Sequence, residues 1–451
     1  MASTYLTRTS SSAGTNTKGT FSAWVKRSSI SNVYPRIIQI RPSSGNGLDM
    51  YFRNTDILEI KLSSGGSVLA QLSTNRLFRD VNAWYHILLS IDTTSGTADD
   101  RVRLYVNGVK ETSFSTRTNP SQNADVKING SSDTIQIGLE VGGSSNIFSG
   151  SMSHIHWLDG TAHDASYFGS TDSTTGEWKI NTSPSVTYGT NGFFILKDGN
   201  SVTDQSGRGN NFTVGGGTLT KTEDCPSNVF ATLNPLSFNT GFSLSNGNNY
   251  FNGGSVTSWN QGCAATMGAS SGKYYWEVKW KNGTSVSIIG VLPIDQSYYT
   301  NGGSGSTSVY NFSNGWQLST SGAGDKYNYV ASTGAGFQRA HDDIIMFAMD
   351  MDNKKMWSGA NGTWYSSGNP ATGANPTWET SQFPSIFDNG FIPYCQSYNS
   401  GVVTEFAFNF GNGYFGSTQI SSAGTNASGN GIFEYDVPAN FTALSTKGLN
   451  L

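Results

Sequence analysis

Histidines His154, His156 and His163 cluster in the sequence, with Asp159 and Asp164 among them. A His-x-His pair on a strand carries both rings on one face, and imidazoles with carboxylates can hold zinc or another transition metal. The competing reading is an outer sheet face on which His154 and His156 meet polar neighbours. Hydrolysis of a glycan needs two carboxyl groups roughly 5 to 10 Å apart. The nearest paired carboxylates are Asp350 with Asp352 and Glu434 with Asp436. Both sit in turn-like surroundings and read as solvated turns. No G-x-S-x-G elbow leads from an apolar strand into a helix. Asp99, Asp100, Asp204, Asn210 and Asn211 supply loop oxygens of the kind that ligate Ca²⁺, although Asx side chains equally cap turns. Tyr298, Tyr299, Tyr310 and Trp316 stand in a Gly-rich polar stretch, and Trp378 follows in a second one. Such rings could stack on sugars while Asn, Asp and Gln bind hydroxyls, or they could be buried against their own domain or a neighbouring subunit.

The elements that would position these residues are short and alternating. Residues 20–27, 35–42, 47–54, 57–64, 84–92, 101–108, 134–142 and 151–160 read as strands separated by Gly, Ser, Asn and Asp clusters. In 101–108, Val102, Leu104 and Val106 take one face and Arg101, Arg103 and Tyr105 the other, so one side meets a core and the other solvent. Residues 162–169 form the best short-helix candidate of this half, between Asp164 and Gly169, placed over a sheet edge. Strands resume at 272–280, 285–293, 343–352, 355–362, 390–398 and 403–411, and the first part of 343–352 reads as buried on both faces. Two stretches share one outline, a polar turn and an alternating strand ending at Asn-Gly: 99–111 and 352–364. Each reads as a central hairpin of an antiparallel sandwich.

With 451 residues, the chain is long for one core. The expected division is an N-terminal arm with the first strand (1–18), a sandwich (19–221), a Gly- and Pro-rich linker (222–240) and a second sandwich with a C-terminal tail (241–451). Only 13% of residues are charged, and 54 are Gly, a composition that favours all-β with long polar loops. A net charge of −4 argues against nucleic-acid binding. Cys225, Cys263 and Cys395 share no CxxC spacing and read as buried free thiols. The N-terminus lacks the pattern of a cleaved export signal, and no apolar run reaches membrane length, so no membrane insertion is expected. The sequon Asn282-Gly283-Thr284 therefore reads as a turn.

Through "FSAWVKR" (21–27), "AWYHILLSID" (83–92), "RVRLYVNG" (101–108) and "GSMSHIHWLDG" (150–160), the first half resembles the LamG and pentraxin-like branch of the concanavalin A-like jelly rolls. The second half resembles the SPRY fold through "GKYYWEVKW" (272–280), "DDIIMFAMDMDNKKMWSGANG" (342–362) and "VTEFAFNFG" (403–411). The pairing, with "FGSTDSTTGEWKI" (168–180), "TDQSGRGNNFT" (203–213), "FATLNPL" (230–236) and "VPANFTALSTKGLN" (437–450), resembles structural proteins of tailed, especially marine, bacteriophages. The resemblance implies two concanavalin A-like antiparallel β-sandwiches. It also implies a place on the virion exterior, in a tail fibre, tail spike or capsid fibre assembled in the host cytoplasm. The implied partners are other virion proteins, a host-surface glycan or protein, and further copies of the chain, three in a fibre. Laminarinase-type relatives of this fold carry an E-x-D-x-x-E strand that is absent here, so the expectation is a non-enzymatic recognition protein. The rival expectations are a purely structural virion component and a glycan depolymerase.

Overall fold

The computed structural model describes residues 4–30, 33–42, 47–197, 199–237, 241–254, 261–283, 287–294, 316–319, 325–328, 331–334, 340–379, 387–397 and 403–450. The chain is all-β: among the described residues, helix is confined to single 3-10 turns, and no helix is long and apolar enough to cross a membrane. It forms two units, Met1–Lys221 and Thr222–Leu451.

The strands of the first unit are β1 (Tyr5–Thr9), β2 (Lys18–Arg27), β3 (Arg36–Arg41), β4 (Leu48–Phe52), β5 (Ile57–Ser64), β6 (Ser67–Leu77), β7 (Tyr85–Asp92), β8 (Val102–Val106), β9 (Val109–Lys110), β10 (Phe114–Thr118), β11 (Thr134–Ile137), β12 (Gly150–Asp159), β13 (Gly169–Thr171), β14 (Trp178–Ile180), β15 (Phe193–Ile195) and β16 (Thr213–Gly216). One antiparallel sheet runs β10-β6-β5-β4-β3-β11-β1-β16, and the other β15-β12-β2-β7-β8-β9. Period-two alternation explains their stacking. Ile38, Ile40, Met50, Ile60 and Leu72 of the first sheet meet Phe21, Val25, Leu89, Leu104 and Trp157 of the second in one core. Each such buried side chain contributes about 1.5–3 kcal/mol relative to exposure.

The outer face of the second sheet is also covered. Leu88, Tyr105 and Leu158 pack under Ala165, Phe168 and Trp178, so Tyr105 is 9% exposed and does not meet open solvent. The helix expected over 162–169 is a single 3-10 turn, Ala165–Tyr167, capped by Asp164, whose carboxylate accepts from the Ser166 N–H at 2.9 Å. It lies on this face and not over an edge, because Ala165 and Phe168 supply apolar surface to cover Leu88 and Leu158.

The second unit packs a sheet holding the strands Lys273–Asn282, Ile344–Asp350, Lys355–Ala360 and Glu405–Asn409 against one holding Gln261–Ala264, Ser287–Pro293 and Phe391–Ser397. Trp276, Phe347 and Phe408 meet Ile289, Val291 and Tyr394 in its core. Strand Ile344–Asp350 is buried along its whole length. Its outer neighbours are Phe230, Phe433, Val437 and Phe441, which pack on Tyr275, Met346 and Trp357.

The terminal and connecting segments differ from the expected division. The first strand expected within 1–18 is β1, and the described residues 4–18 are not a detached arm, because β1 pairs with β11 and β16 and Leu6 enters the core. The described residues 222–237 of the expected linker belong to the second unit. Phe230, Ala231 and Leu233 are buried in the second unit, and the Ala231 N–H donates to the Leu444 carbonyl at 2.9 Å. The local Gly, Asn and Pro content signals turns, and these turns are part of a packed surface.

The two Asn-Gly hairpins lie at sheet edges rather than centres. β8-β9 closes one end of its sheet, and Lys355–Ala360 with Thr363–Trp364 closes the second unit's sheet in the same manner. Each last strand is two residues long, a short edge that offers little backbone for further pairing.

Candidate functional site

A polar cleft lies on the outer face of β3–β6. The alternation that sends Leu48, Met50 and Phe52 inward sends Asp49 and Tyr51 outward, and the same rule turns out Glu59 and Lys61 of β5 and Gln71 and Ser73 of β6. Register then assembles two rows across four strands. Gln39, Asp49, Lys61 and Gln71 pair successively in one, and Arg36, Tyr51, Glu59 and Ser73 in the other. A register shift between Arg36 and Ile38 lets Ile37 and Ile38 both enter the core while Arg36 stays outside.

Glu59 is the hub, at 1% exposure. Its carboxylate accepts from Tyr51 Oη, from Ser73 Oγ at 2.8 Å, from Arg53 Nη1 at 3.2 Å and from Gln71 Nε2 at 3.4 Å, and it pairs with Lys61 Nζ at 2.9 Å. The Arg36 guanidinium lies 4.1 Å from the Tyr51 ring centroid, and its Nε is 2.8 Å from Asp49 Oδ1. Tyr34 meets Tyr51 edge to face at 6.0 Å. Tyr34, Arg36, Tyr51, Arg53, Glu59, Lys61 and Gln71 enclose about 280 Å³. A second hollow of about 230 Å³ continues past Lys61 along Asp49, Gln39, Arg41 and Ser63.

The electrostatics follow from these contacts. Burial disfavours the Glu59 anion, but hydrogen bonds from Tyr51, Lys61 and Ser73 outweigh it and hold its carboxyl at about 2. Burial raises Asp49 to about 6, against the pull of Arg36, and with Glu140 adding like charge. Burial and the adjacent Glu59 push Tyr51 up to about 12, so it stays a donor. Preformed donors on a rigid sheet can therefore receive a polar ligand without reorganising.

The sequence-derived candidates have other places. Tyr298, Tyr299 and Tyr310 lie outside the described residues. Trp316 does not stand in a loop: it opens the strand Trp316–Ser319, opposite Val291. Trp378 is 1% exposed inside the second core, with no ring face left for a sugar. Its neighbourhood is rich in Gly and Asn because the strand Trp378–Glu379 is two residues long.

The calcium candidates do not fit a cation. Asp204 Oδ1 accepts from the N–H groups of Phe194 and Ser206 at 2.9 Å, and Oδ2 from Ser206 Oγ at 2.8 Å and Asn210 N–H at 2.9 Å. Asn210 Oδ1 accepts from Arg8, and Asn211 Oδ1 from the Asp204 N–H. Asp99 pairs with Arg117 at 3.0 Å and accepts from Asn119 at 2.6 Å, while Asp100 pairs with Lys110 at 3.1 Å. These oxygens are capping groups and ion-pair partners.

The histidines diverge as well. A register shift between Ser153 and His156 breaks the alternation of β12, and His154 sits at φ 48°. His156 is 2% exposed, stacked on Phe194 at 3.9 Å and hydrogen-bonded to Tyr188 Oη at 2.9 Å, while His163 packs on Tyr167. Among the described residues, no group of three His, Cys, Asp or Glu side chains is arranged to hold a metal ion. Of the paired carboxylates, Asp350 caps its turn by accepting from the Asn353 N–H and pairs with Lys273 at 2.9 Å, Asp352 accepts from the Gly272 N–H, and Asp436 from the Thr425 N–H.

The cleft went unread in the sequence, yet a signal was present. Charged residues of both signs and a tyrosine occupy the outward positions of successive apolar-alternating strands, "LDMYF" and "ILEIKLSS".

No curated protein matches the sequence. Among solved structures, the SPRY domain of human HERC1 is 14% identical, with a TM-score of 0.29 over 39% of this chain and 96% of that one. The TRIM65 PSpry domain is 14% identical, at 0.28 over 40% and 91%. Stonustoxin is 18% identical, at 0.27 over 41% of this chain and 27% of its own. Residues 1–166 match the Laminin_G_3 family, the concanavalin A-like lectin/glucanases superfamily. The chain is thus an all-β protein whose first sandwich is concanavalin A-like.

Proposed function

We propose that this chain is a non-enzymatic surface protein of a bacteriophage virion, in a tail fibre, tail spike or capsid fibre, that recognises a host-surface glycan through the cleft of its first sandwich. One observation carries the recognition reading: fixed donors and acceptors from Arg36, Tyr51, Glu59, Lys61 and Gln71 are arrayed on a rigid sheet beside the half-exposed ring of Tyr34. Sugar recognition uses such an array, with hydroxyls on the polar groups and a ring face on the aromatic. The virion assignment rests on the order of phrases such as "TDQSGRGNNFT" and "VPANFTALSTKGLN" and on the SPRY resemblance of the second half. Several copies on one particle, three in a fibre, would turn weak single-site binding into firm adhesion. Neighbouring virion proteins would contact other faces.

Labelled antibody against this chain, imaged on purified particles, tests the virion assignment, and an unlabelled particle surface refutes it. Binding of the purified chain to a panel of immobilised polysaccharides tests recognition. Saturable binding abolished by Tyr34→Ala with Gln71→Ala is expected. Absence of binding, together with defective particles when the gene is deleted, would favour a purely structural role. A depolymerase reading is favoured by one feature, two carboxyl groups on one face with acidities driven apart, Glu59 low and Asp49 high. Glu59, however, is enclosed by its donors, so release of reducing ends is not expected.

A further inference from the structure

Resting on the recognition reading, we infer that the cleft takes an anionic polysaccharide, whose carboxylate or sulfate oxygens are received by Arg53 and Lys61 at the mouth of the site. The chain as a whole has a net charge of −4, but the two hollows are lined by four cationic side chains, Arg36, Arg41, Arg53 and Lys61, against two carboxylates, Asp49 and Glu59. Glu140, 3.9 Å from Arg36 Nη2, balances one of these, so the local excess is one positive charge. Both carboxylates are already engaged: Glu59 is ringed by donors at 1% exposure, and Asp49 lies 2.8 Å from Arg36 Nε.

The cations differ from the carboxylates in exposure. The Arg53 side chain is 41% exposed and meets Glu59 through Nη1 alone among its five N–H donors, and the Lys61 side chain is 32% exposed. Each therefore keeps donors facing solvent. Glu59 serves as a buried counter-charge that fixes the direction of both cations, which lowers the ordering cost when a ligand oxyanion arrives. A neutral sugar would offer these ionic donors only uncharged hydroxyl oxygens, whereas a carboxylate or sulfate ester supplies charged oxygens and the stronger charge-assisted bonds. Tyr34, at 37% exposure, provides the apolar rim for the ring that bears the anionic group.

The test uses the full chain with four soluble polymers, polygalacturonate, dextran sulfate, dextran and polyglutamate, titrated at low and high salt. Polygalacturonate or dextran sulfate should bind at least about tenfold more tightly than dextran, and the affinity should fall with salt, since the mouth is exposed. Whichever of the two anions binds more tightly identifies carboxylate or sulfate as the preferred group. Arg53→Gln should weaken that binding about tenfold, as expected for loss of a charge-assisted hydrogen bond. Lys61→Gln should do the same, with a cooperative thermal transition, at a midpoint lowered by the loss of the Glu59 pair, verifying that the variant is folded. Lys179→Gln removes an exposed, ion-paired cation outside the cleft and should change nothing.

Dextran binding as tightly as the anions would overturn the charge inference and leave glycan recognition standing. Polyglutamate matching the polysaccharides, or Lys179→Gln weakening binding as much as Arg53→Gln, would also overturn it, by showing diffuse attraction. Failure of all four polymers to bind would remove the recognition reading itself.

Discussion

Asn107 and His86 exchange two hydrogen bonds. The Asn107 side-chain oxygen accepts from the His86 N–H at 2.8 Å, and the Asn107 N–H donates to the His86 carbonyl at 2.9 Å. Asn361 and Ile344 repeat the arrangement at 2.9 and 2.9 Å. In both hairpins the Asn and the following Gly have positive φ, at 47° and 79° and at 50° and 81°, as a type I′ turn requires. The chain builds this hairpin twice because each sandwich ends a sheet in the same manner. The Asn of the turn also binds a residue at the start of the neighbouring strand that pairs with the hairpin, His86 in β7 and Ile344 in Ile344–Asp350.

Replacing Asn107 by Ala therefore loses a hydrogen bond and places a Cβ residue without local polar support in the left-handed region, for about 1–2 kcal/mol in total. Asn107→Gly keeps the turn conformation and should cost about half of that. Urea midpoints of the two variants check the order, and equal losses would show that only the hydrogen bond matters.

Glu277 predicts an unusual pH dependence. It is fully buried beneath the C-terminal segment and accepts from Tyr275 Oη and from the N–H groups of Glu434 and Tyr435, each at 2.9 Å. Burial raises its carboxyl to about 7 despite these donors. The native state then holds the proton more tightly than the unfolded chain. Its contribution is fully present below the ordinary carboxyl range and is lost as the pH rises to about 7. His86 acts oppositely in the first unit. Burial lowers it to about 3, so its contribution is present above the ordinary His range, near 6.5, and is lost as pH falls toward 3. Calorimetry of Glu277→Gln against the parent at about pH 5 and about pH 7.5 isolates the first effect. The variant should lose more stability relative to the parent at the lower pH, and a constant difference would refute the assignment.

Trp378→Ala should destabilise the second unit by about 3–5 kcal/mol, the range for removing a large buried ring. Polysaccharide binding by the first sandwich should persist under conditions where the protein remains folded. Lost binding at full stability would restore Trp378 as a ligand contact.

Asp204→Asn should cost about 1–3 kcal/mol, because an amide NH₂ would face N–H and O–H donors that now meet a carboxylate. Millimolar calcium should leave the melting temperature of the parent unchanged. A calcium-dependent rise abolished by Asp204→Asn would show that the loop reorganises around a cation.

Much of the fold was legible because its signal is local. Residues 57–64 read as a strand from alternation and form β5 with those limits. β6, the longest strand of the first unit, was missed because Ala70, Ser73 and Thr74 blunt its apolar contrast, and its inward face becomes apparent only against β5. Trp378 misled for the converse reason: a ring among Gly, Pro and Asn has the same local context whether it points outward or into a core.

By itself the sequence determined an all-β chain with two units, since period-two alternation is written within each strand and the change in texture marks the junction. Only the tertiary structure decided which polar side chains meet. Arg36, Asp49, Glu59 and Gln71 belong to four strands, and antiparallel register, set by the shared apolar core, brings them onto one face. The same long-range packing withdrew Asp204, His156 and Trp378 from chemistry, because burial and partners are properties of the folded surroundings and not of residue type.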